Sequence, residues 1–199
     1  YDGGMWHIIG LGNPGSTYAN TRHNVGQMAL EWLVEHKHAP AFTSDKLAQA
    51  DCTSVQLGEE VVAVLKPQTY MNRSGETVAY LKKQGVQPEQ LVVVYDDVDL
   101  PVGELKVSVG RGDGGHNGVK SVIDALGSKG FARVRIGVAR TSFWTGKTVR
   151  PSGAALPRHV LARFTASEQK KLTLVYPKVE RALTLIVTEG VARAMNELN

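Results

Sequence analysis

The sequence predicts an α/β fold, a single domain in which helices flank a twisted, mixed and largely parallel β-sheet. Strand-like and helix-like segments alternate along the chain, a pattern typical of such folds. Residues 91–95 (LVVVY) are uniformly apolar, as expected for a buried strand of a parallel sheet. The chain has 199 residues, of which 42% are hydrophobic, so it can bury one core without disulfides or metals.

The period of the apolar residues predicts each element in order. Short apolar runs predict strands at residues 6–11, 51–57, 61–65, 91–95, 105–109 and 133–139. Helical spacing predicts helices at residues 24–38, 75–83, 118–126, 167–188 and 191–198. The second and third strands flank a short polar turn at residues 58–60, which predicts a hairpin.

Four polar loops follow predicted strands, at residues 12–23, 70–74, 96–99 and 110–117. Because sites in such sheets lie at the carboxyl ends of strands, we expect these loops to converge on one edge of the sheet. Residues 141–157 are basic and rich in glycine, proline and serine, which predicts a mobile surface loop.

Charge is distributed unevenly along the chain. Residues 1–128 carry 10 Lys and Arg against 15 Asp and Glu, whereas residues 129–171 carry 10 against the single acid Glu168. A basic block of this kind is typical of a polyanion-binding surface, although a solvated positive face would give the same pattern.

Composition excludes several classes of protein. No apolar run approaches the ~20 residues of a membrane span. The single cysteine, Cys52, allows neither an internal disulfide nor a Cys-rich zinc site, and we interpret it as a core residue. The acidic start carries no secretory signal, and Met5 is a candidate natural start, with residues 1–4 a cloning remnant and residues 5–199 the domain. We therefore expect a cytoplasmic protein without membrane contact.

A histidine and a carboxylate are the first candidates for catalysis. His23 precedes the first predicted helix, and histidine is the side chain best suited to accept a proton near neutral pH. A surface or capping role is the alternative. Asp96 directly follows the buried strand and could orient such a base. Together with Asp97 and Asp99 it could instead hold a divalent metal or cap a turn; we expect no metal.

Glycine and asparagine motifs allow more than one interpretation. Residues 10–15 match G-x-G-x-x-G, but Pro14 lacks an amide and the segment continues as loop, which disfavours a dinucleotide site. Asn72 and Asn117 precede predicted helices, where asparagine is a common cap, yet its amide can also hold an oxyanion. The sequence contains no G-x-S-x-G, H-E-x-x-H or P-loop motif.

Five stretches together resemble bacterial-type peptidyl-tRNA hydrolases. They are GLGNPGSTYANTRHNVG (10–26), KPQTYMNRSG (66–75), YDDVDLPVGELK (95–106), GDGGHNGVKSV (112–122) and FARVRIGVAR (131–140). The resemblance implies an α/β fold and hydrolysis of the ester between a peptide and the 3′-terminal ribose of tRNA, with neither metal nor cofactor. Residues 141–157 depart from the family, because they are longer and more basic than is typical.

The resemblance also implies roles for individual residues. His23 is implied as the general base that activates a water, Asp96 as the carboxylate that orients it, and Asn13 as a residue that separates N-blocked from free aminoacyl groups. The implied substrate contacts are Tyr18, Tyr70, Met71 (in the wall of the peptide groove), Asn72 and Asn117. The implied contacts to tRNA phosphates are Lys106 and Arg135. Which of Asn13, Asn72 and Asn117 faces the oxyanion stays open.

Two alternatives belong to other functional classes. The first is a non-catalytic RNA-binding protein on the same fold, which the presence of His23, Asp96, Asn13 and Asn117 disfavours. The second is a nucleotide-cofactor enzyme that uses residues 10–15, for which tight nucleotide binding would be required. We expect a monomer that acts on peptidyl-tRNA and needs no obligate protein partner.

Overall fold

The computed structural model describes residues 4–142 and 144–199. Its strands are β1 His7–Gly10, β2 Thr43–Asp45, β3 Ala50–Leu57, β4 Glu60–Pro67, β5 Leu91–Pro101, β6 Leu105–Ser108, β7 Ala132–Thr141 and β8 Thr148–Val149. Its α-helices are α1 Val25–His36, α2 Gly75–Lys83, α3 Asn117–Leu126, α4 Ala155–Val160, α5 Ala166–Glu189 and α6 Val191–Leu198. Residues 1–3 of the predicted remnant lie outside the described residues, and the boundary at residue 5 stays a prediction.

One sheet organises the molecule, with the strand order β2-β3-β4-β1-β5-β7-β6 and β8 paired to β7. The centre is parallel: β1 pairs in parallel with β4 and β5, and β5 pairs in parallel with β7. Antiparallel pairs add β3 and β2 at one side and β6 and β8 at the other. The predicted mixed α/β sheet flanked by helices is confirmed.

Two hydrophobic layers cover the two faces of this sheet. Along β1, Ile8 packs into the layer formed with α1, α5 and α6, while Ile9 packs into the layer formed with α2 and α3. Strand β5 behaves in the same way, with Val92 on the first side and Val93 on the second. A strand buried on both faces needs apolar residues at every position, which explains the uninterrupted run at residues 91–95.

Helix α1 lies unusually close to the sheet. A Cβ on Gly26 would lie 2.2 Å from the carbonyl oxygen of Val94, and one on Gly10 would lie 2.7 Å from the carbonyl oxygen of Gly26. Only glycine permits this approach of backbone to backbone. The start of α1, and the residues just before it, are thereby held against the carboxyl end of β1 and the middle of β5.

Two predicted loops contain regular secondary structure. Strand β5 continues through residues 96–99 to Pro101, with an irregularity in its pairing to β7 between Asp97 and Pro101. The segment 141–157 contains β8 and the start of α4, although residue 143 lies outside the described residues. Local polarity predicts loops in both. Pairing with β7 explains the strand at Asp96 and Asp97 and the short strand β8.

Two smaller features also differ from expectation. Strand β2 is polar and exposed, so it carried no apolar signal, and its pairing with β3 defines it. Helix α5 begins one residue before the predicted start, because Thr165 and Glu168 form a reciprocal capping box. Among the described residues, no helix is long and apolar enough to cross a bilayer.

Candidate active site

Polar side chains gather in a cavity of about 520 Å³, beyond the carboxyl end of β1 and beside residues 95–99 of β5. The predicted site residues that line it are Asn13, His23, Tyr70, Met71, Asn72, Asp96, Asn117 and Arg135. Tyr18 and Lys106 do not line it: Tyr18 lies in the turn before His23, and Lys106 lies exposed on β6. The structure therefore brings together eight of the ten residues, from loops far apart in sequence.

His23 and Asp96 are in direct contact. His23 lies in the short 3-10 turn Arg22–Asn24 that precedes α1, and its Nδ1 is 2.8 Å from Asp96 Oδ1. The Asp96 side chain is 1% exposed and that of His23 is 13% exposed. Because Asp96 lies within β5 rather than in a loop, the carboxylate is fixed by the sheet.

A second histidine completes this network. His116 Nε2 is also 2.8 Å from Asp96 Oδ1, while His116 Nδ1 accepts hydrogen bonds from the backbone amides of Gly118 and Val119 at the start of α3. A ring nitrogen that accepts two amides carries no proton, so the proton of His116 lies on Nε2 and is donated to Asp96. Asp96 Oδ1 thus accepts hydrogen bonds from the imidazole rings of both His23 and His116.

The pKa values of the network follow from these contacts. Burial favours the neutral Asp96 carboxyl, but the two adjacent rings outweigh burial and hold the pKa of Asp96 well below its usual value. Burial likewise lowers the pKa of His23, but the charge and hydrogen bond of Asp96 raise it above the ordinary value. Since Asp96 is ionised it can only accept, so His23 donates from Nδ1 and presents the lone pair of Nε2.

Asn13 is oriented by its neighbours. Its Oδ1 accepts from the amide of Met71 at 2.8 Å, so its Nδ2 is the side-chain atom left to act on a ligand. Its backbone amide donates to Asn24 Oδ1 at 2.9 Å, and Asn24 Nδ2 donates back to the Asn13 carbonyl at 2.8 Å. This paired contact fixes the loop after β1 against the turn that carries His23.

Arginines of the basic block have distinct surroundings. Arg133 is fully buried, stacks over Phe131 and donates to the carbonyls of Arg111 and Gly112, so it supports the glycine-rich loop instead of facing a polyanion. Arg135 lines the cavity and pairs with Asp97 at 2.8 Å. Within the basic block, Arg133 therefore stabilises the fold, whereas Arg135 lies at the cavity.

The three ligand atoms of His23, Asp96 and His116 lie within 4.8 Å of one another, which is close enough for a metal ion. The hydrogen bonds favour a different interpretation. His116 Nε2 carries its proton, because Nδ1 accepts two amides, and a protonated nitrogen cannot ligate a metal. As arranged, this cluster is a hydrogen-bonded network.

Two glycines of the motif at residues 10–15 serve packing, Gly10 and Gly12. A Cβ on Gly10 or Gly12 would meet α1 within 2.7 Å, at Gly26 and Gln27 respectively. Helix α1 begins at Val25, well after the motif, so its amides do not follow the glycines directly as a dinucleotide turn requires.

Comparison with known proteins identifies the family of the chain. The sequence model of the family described as peptidyl-tRNA hydrolase matches residues 7–199. The peptidyl-tRNA hydrolase of Anaeromyxobacter dehalogenans is 43% identical over 193 residues, which cover 96% of this chain and 95% of the relative. That of Roseiflexus castenholzii is 42% identical over 197 residues, which cover 98% of this chain and 87% of the relative. The chain belongs to the peptidyl-tRNA hydrolase family.

Solved structures of the family share the fold. The crystal structure of peptidyl-tRNA hydrolase from Acinetobacter baumannii superposes with a TM-score of 0.86 at 31% sequence identity. The match covers 98% of this chain and 94% of that one. The mixed sheet and its flanking helices are therefore those of peptidyl-tRNA hydrolases.

In this member of the peptidyl-tRNA hydrolase family, sequence reasoning missed three residues of the site. They are His116, Asn24 and Arg133, which hold Asp96, Asn13 and the glycine-rich loop respectively. His116 lies in the stretch 112–122, where the sequence analysis singled out Asn117 alone. Asn24 and Arg133 act through backbone contacts, which no local pattern reports.

Proposed function

We propose that the chain hydrolyses the ester bond between a peptide and the 3′-terminal ribose of tRNA, with His23 as the general base. The observation that carries this proposal is the contact between His23 and the buried Asp96, beside Asn13 in a cavity of a peptidyl-tRNA hydrolase fold. Family membership supports the substrate, and the contact supports the residue that activates water.

The first step uses the lone pair of His23 Nε2. His23 takes a proton from a water while the water oxygen forms a bond to the ester carbonyl carbon, and the carbonyl π electrons move to oxygen. Asp96 stabilises the imidazolium that results, through the hydrogen bond to Nδ1. A positioned general base of this kind contributes on the order of 10²–10⁴-fold to the rate.

The second step expels the tRNA. The oxyanion re-forms its carbonyl, the bond to the ribose oxygen breaks, and that oxygen receives the proton from His23. Asn13 Nδ2 is a suitable donor to the substrate carbonyl, since Met71 holds the other end of the amide. We propose that the side-chain amide of Asn13 also helps to distinguish N-blocked from free aminoacyl groups.

The remaining contacts to the substrate are proposed from the positions of the residues relative to the cavity. Tyr70, Met71, Asn72 and Asn117 line the cavity and are proposed to contact the substrate there, whereas Tyr18 would contact it from outside the cavity. Lys106 lies opposite Arg135 in the β6–β7 pairing, so both are proposed to bind phosphates of the acceptor end. We further propose that residues 5–199 act as a single-domain cytoplasmic monomer, without a cofactor, a metal or an obligate protein partner.

Hydrolysis of N-acetyl-aminoacyl-tRNA, compared with unblocked aminoacyl-tRNA and with EDTA present, tests this proposal. We expect release from the blocked substrate alone, and near-complete loss of release in His23→Ala with tRNA binding retained. His36→Ala is the matched control, because His36 is exposed on α1 and lies outside the cavity.

Each outcome has a clear meaning. Near-normal turnover by His23→Ala would overturn the assignment of the base. Loss of turnover with EDTA would point to a metal at the cluster of His23, Asp96 and His116. Binding of tRNA without release from either substrate would favour the non-catalytic RNA-binding alternative.

A further inference from the structure

A short hairpin rises beside the cavity, and none of the roles described above involves its tip. We define the β7–β8 arm as residues 140–142 and 144–150, the part of this hairpin that the structure describes. Arg140 pairs with Val149 and Thr141 with Thr148, and the amide of Ser142 donates to the carbonyl of Lys147 at 2.9 Å. The arm therefore has hydrogen-bonded structure in the part of it that the structure describes.

The base of the arm is tied to the active site. Arg150 Nε lies 3.1 Å from Asp99 Oδ1 on β5, and Arg150 itself lines the cavity. The tip lies about four residues from Arg150, or roughly 13 Å at the rise of an extended strand. The tip is thus close enough to Arg150 to be reached by a polymer that leaves the cavity on this side.

The tip carries an exposed tryptophan among basic residues. The Trp144 side chain is 90% exposed, more than the other exposed large hydrophobic residues of the described chain. Arg140, Lys147 and Arg150 lie in the same arm, and residues 140–150 contain no acid. An exposed aromatic ring flanked by cations is the arrangement on which unpaired bases stack while nearby phosphates are neutralised.

We propose that the β7–β8 arm is an RNA contact, in which Trp144 stacks on an unpaired base near the 3′ end of the tRNA while Arg140 and Lys147 bind adjacent phosphates. This proposal rests on the proposed function, because that function places a single-stranded RNA end in the cavity. The charge of the arm favours RNA over the peptide part of the substrate, since a peptide offers no regular run of negative charge.

Binding of RNA that carries no peptide tests the arm directly. The probes are a deacylated acceptor-stem hairpin with an unpaired 3′ tail and the same hairpin with a blunt end. We expect Trp144→Ala to weaken binding of the tailed hairpin about 5- to 150-fold, the range for loss of one base stack. Trp144→Phe should restore most of that affinity, and the blunt hairpin should bind equally to wild type and variants.

Leu174→Ala is the matched control, since Leu174 is a 70% exposed apolar residue on α5, outside the arm and the cavity. In Arg140→Ala/Lys147→Ala, the slope of log affinity against log salt should fall by about 1.4, for two phosphates of a single strand. With N-acetyl-aminoacyl-tRNA as substrate, Trp144→Ala should raise KM and leave kcat unchanged.

The results separate this proposal from the catalytic one. Equal affinity of wild type and Trp144→Ala for the tailed hairpin would overturn the arm as an RNA contact, whatever the activity. A raised KM with unchanged affinity for deacylated RNA would assign the arm to the peptide and overturn it as well. Binding of the tailed hairpin that depends on Trp144, in a protein without hydrolysis, would support the arm and refute the proposed function.

Discussion

Replacing Asp96 by asparagine separates the geometry of the site from its charge. An asparagine has nearly the same shape, and its Oδ1 can still accept from His23 Nδ1 and His116 Nε2. The negative charge that stabilises the imidazolium is lost. The fold should persist, because the two hydrogen bonds that Asp96 Oδ1 receives have an acceptor in the variant.

The distance between His23 and Asp96 sets bounds on the loss of rate in Asp96→Asn. At the 2.8 Å between His23 Nδ1 and Asp96 Oδ1, unit charges interact by about 6 kcal/mol at an effective dielectric constant of about 20, or roughly 10⁴-fold in rate. The lower bound is the difference between a charge-assisted and a neutral hydrogen bond, which is about 1.5 kcal/mol or roughly tenfold. We therefore expect kcat of Asp96→Asn to fall about 10²–10³-fold.

The pH profile should change in a defined direction. In the wild type, Asp96 raises the pKa of His23, so the acid limb of kcat/KM lies above the ordinary histidine pKa. Without that charge, burial dominates and lowers the pKa of His23, which moves the acid limb to lower pH. Rates of N-acetyl-aminoacyl-tRNA hydrolysis from pH 5 to 9, with folding checked by circular dichroism, measure both effects.

Asp124→Asn is the control for this experiment, because Asp124 is an exposed carboxylate on α3 that pairs with Lys120. It should leave both kcat and the pH profile unchanged. If Asp96→Asn kept kcat within tenfold of wild type and its acid limb did not move to lower pH, the role assigned to Asp96 would be refuted.

Three further substitutions test other contacts. Asn13→Asp keeps an acceptor for Met71 but removes the Nδ2 donor, so kcat should fall about 10²–10³-fold; an unchanged kcat would exclude that donor. Glu168→Gln leaves the buried Arg22 without its carboxylate and should lower the free energy of unfolding by about 2–4 kcal/mol in urea titrations. The pKa of Glu168 is lowered in the fold, so the difference in unfolding free energy between wild type and variant is present above the unfolded-state pKa of Glu168. It is lost as the pH falls through the pKa of Glu168 in the folded state. A difference that does not change with pH would contradict the role of this ion pair. Arg135→Ala should weaken tRNA binding and reduce the salt slope by about 0.7–0.9, and an unchanged slope would remove it from the phosphate contacts.

Several elements could be predicted because their signal is local. Residues 91–95 identify a strand buried on both faces, and Gly75–Lys83 has the same bounds in the sequence prediction and in the structure. The motifs around His23, Asp96 and Asn117 also indicated an edge where strands end. Apolar period and turn chemistry depend on neighbours in sequence, so the sequence carries them directly.

Strand lengths were less predictable where pairing overrides composition. Residues 96–99 are acidic and resemble a turn, yet they lie within β5, where Asp96 and Asp97 pair with β7 and the pairing resumes at Pro101 after an irregularity. The same applies to β8, which is ordered by two pairs with β7. Backbone hydrogen bonds to a strand far away in sequence cannot be predicted from the polarity of neighbouring residues.

The sequence by itself determined the alternation of elements, the class of the fold and the residue types available for acid–base chemistry. Only the tertiary structure decided that Asp96 serves two histidines, that Asn24 orients the loop of Asn13, and that Arg133 is a buried support. These contacts join residues between 11 and 73 positions apart, through backbone atoms or the ring nitrogens of histidines. Such contacts are set by the packing of α1 and α3 against the sheet, and packing is a property of the whole chain.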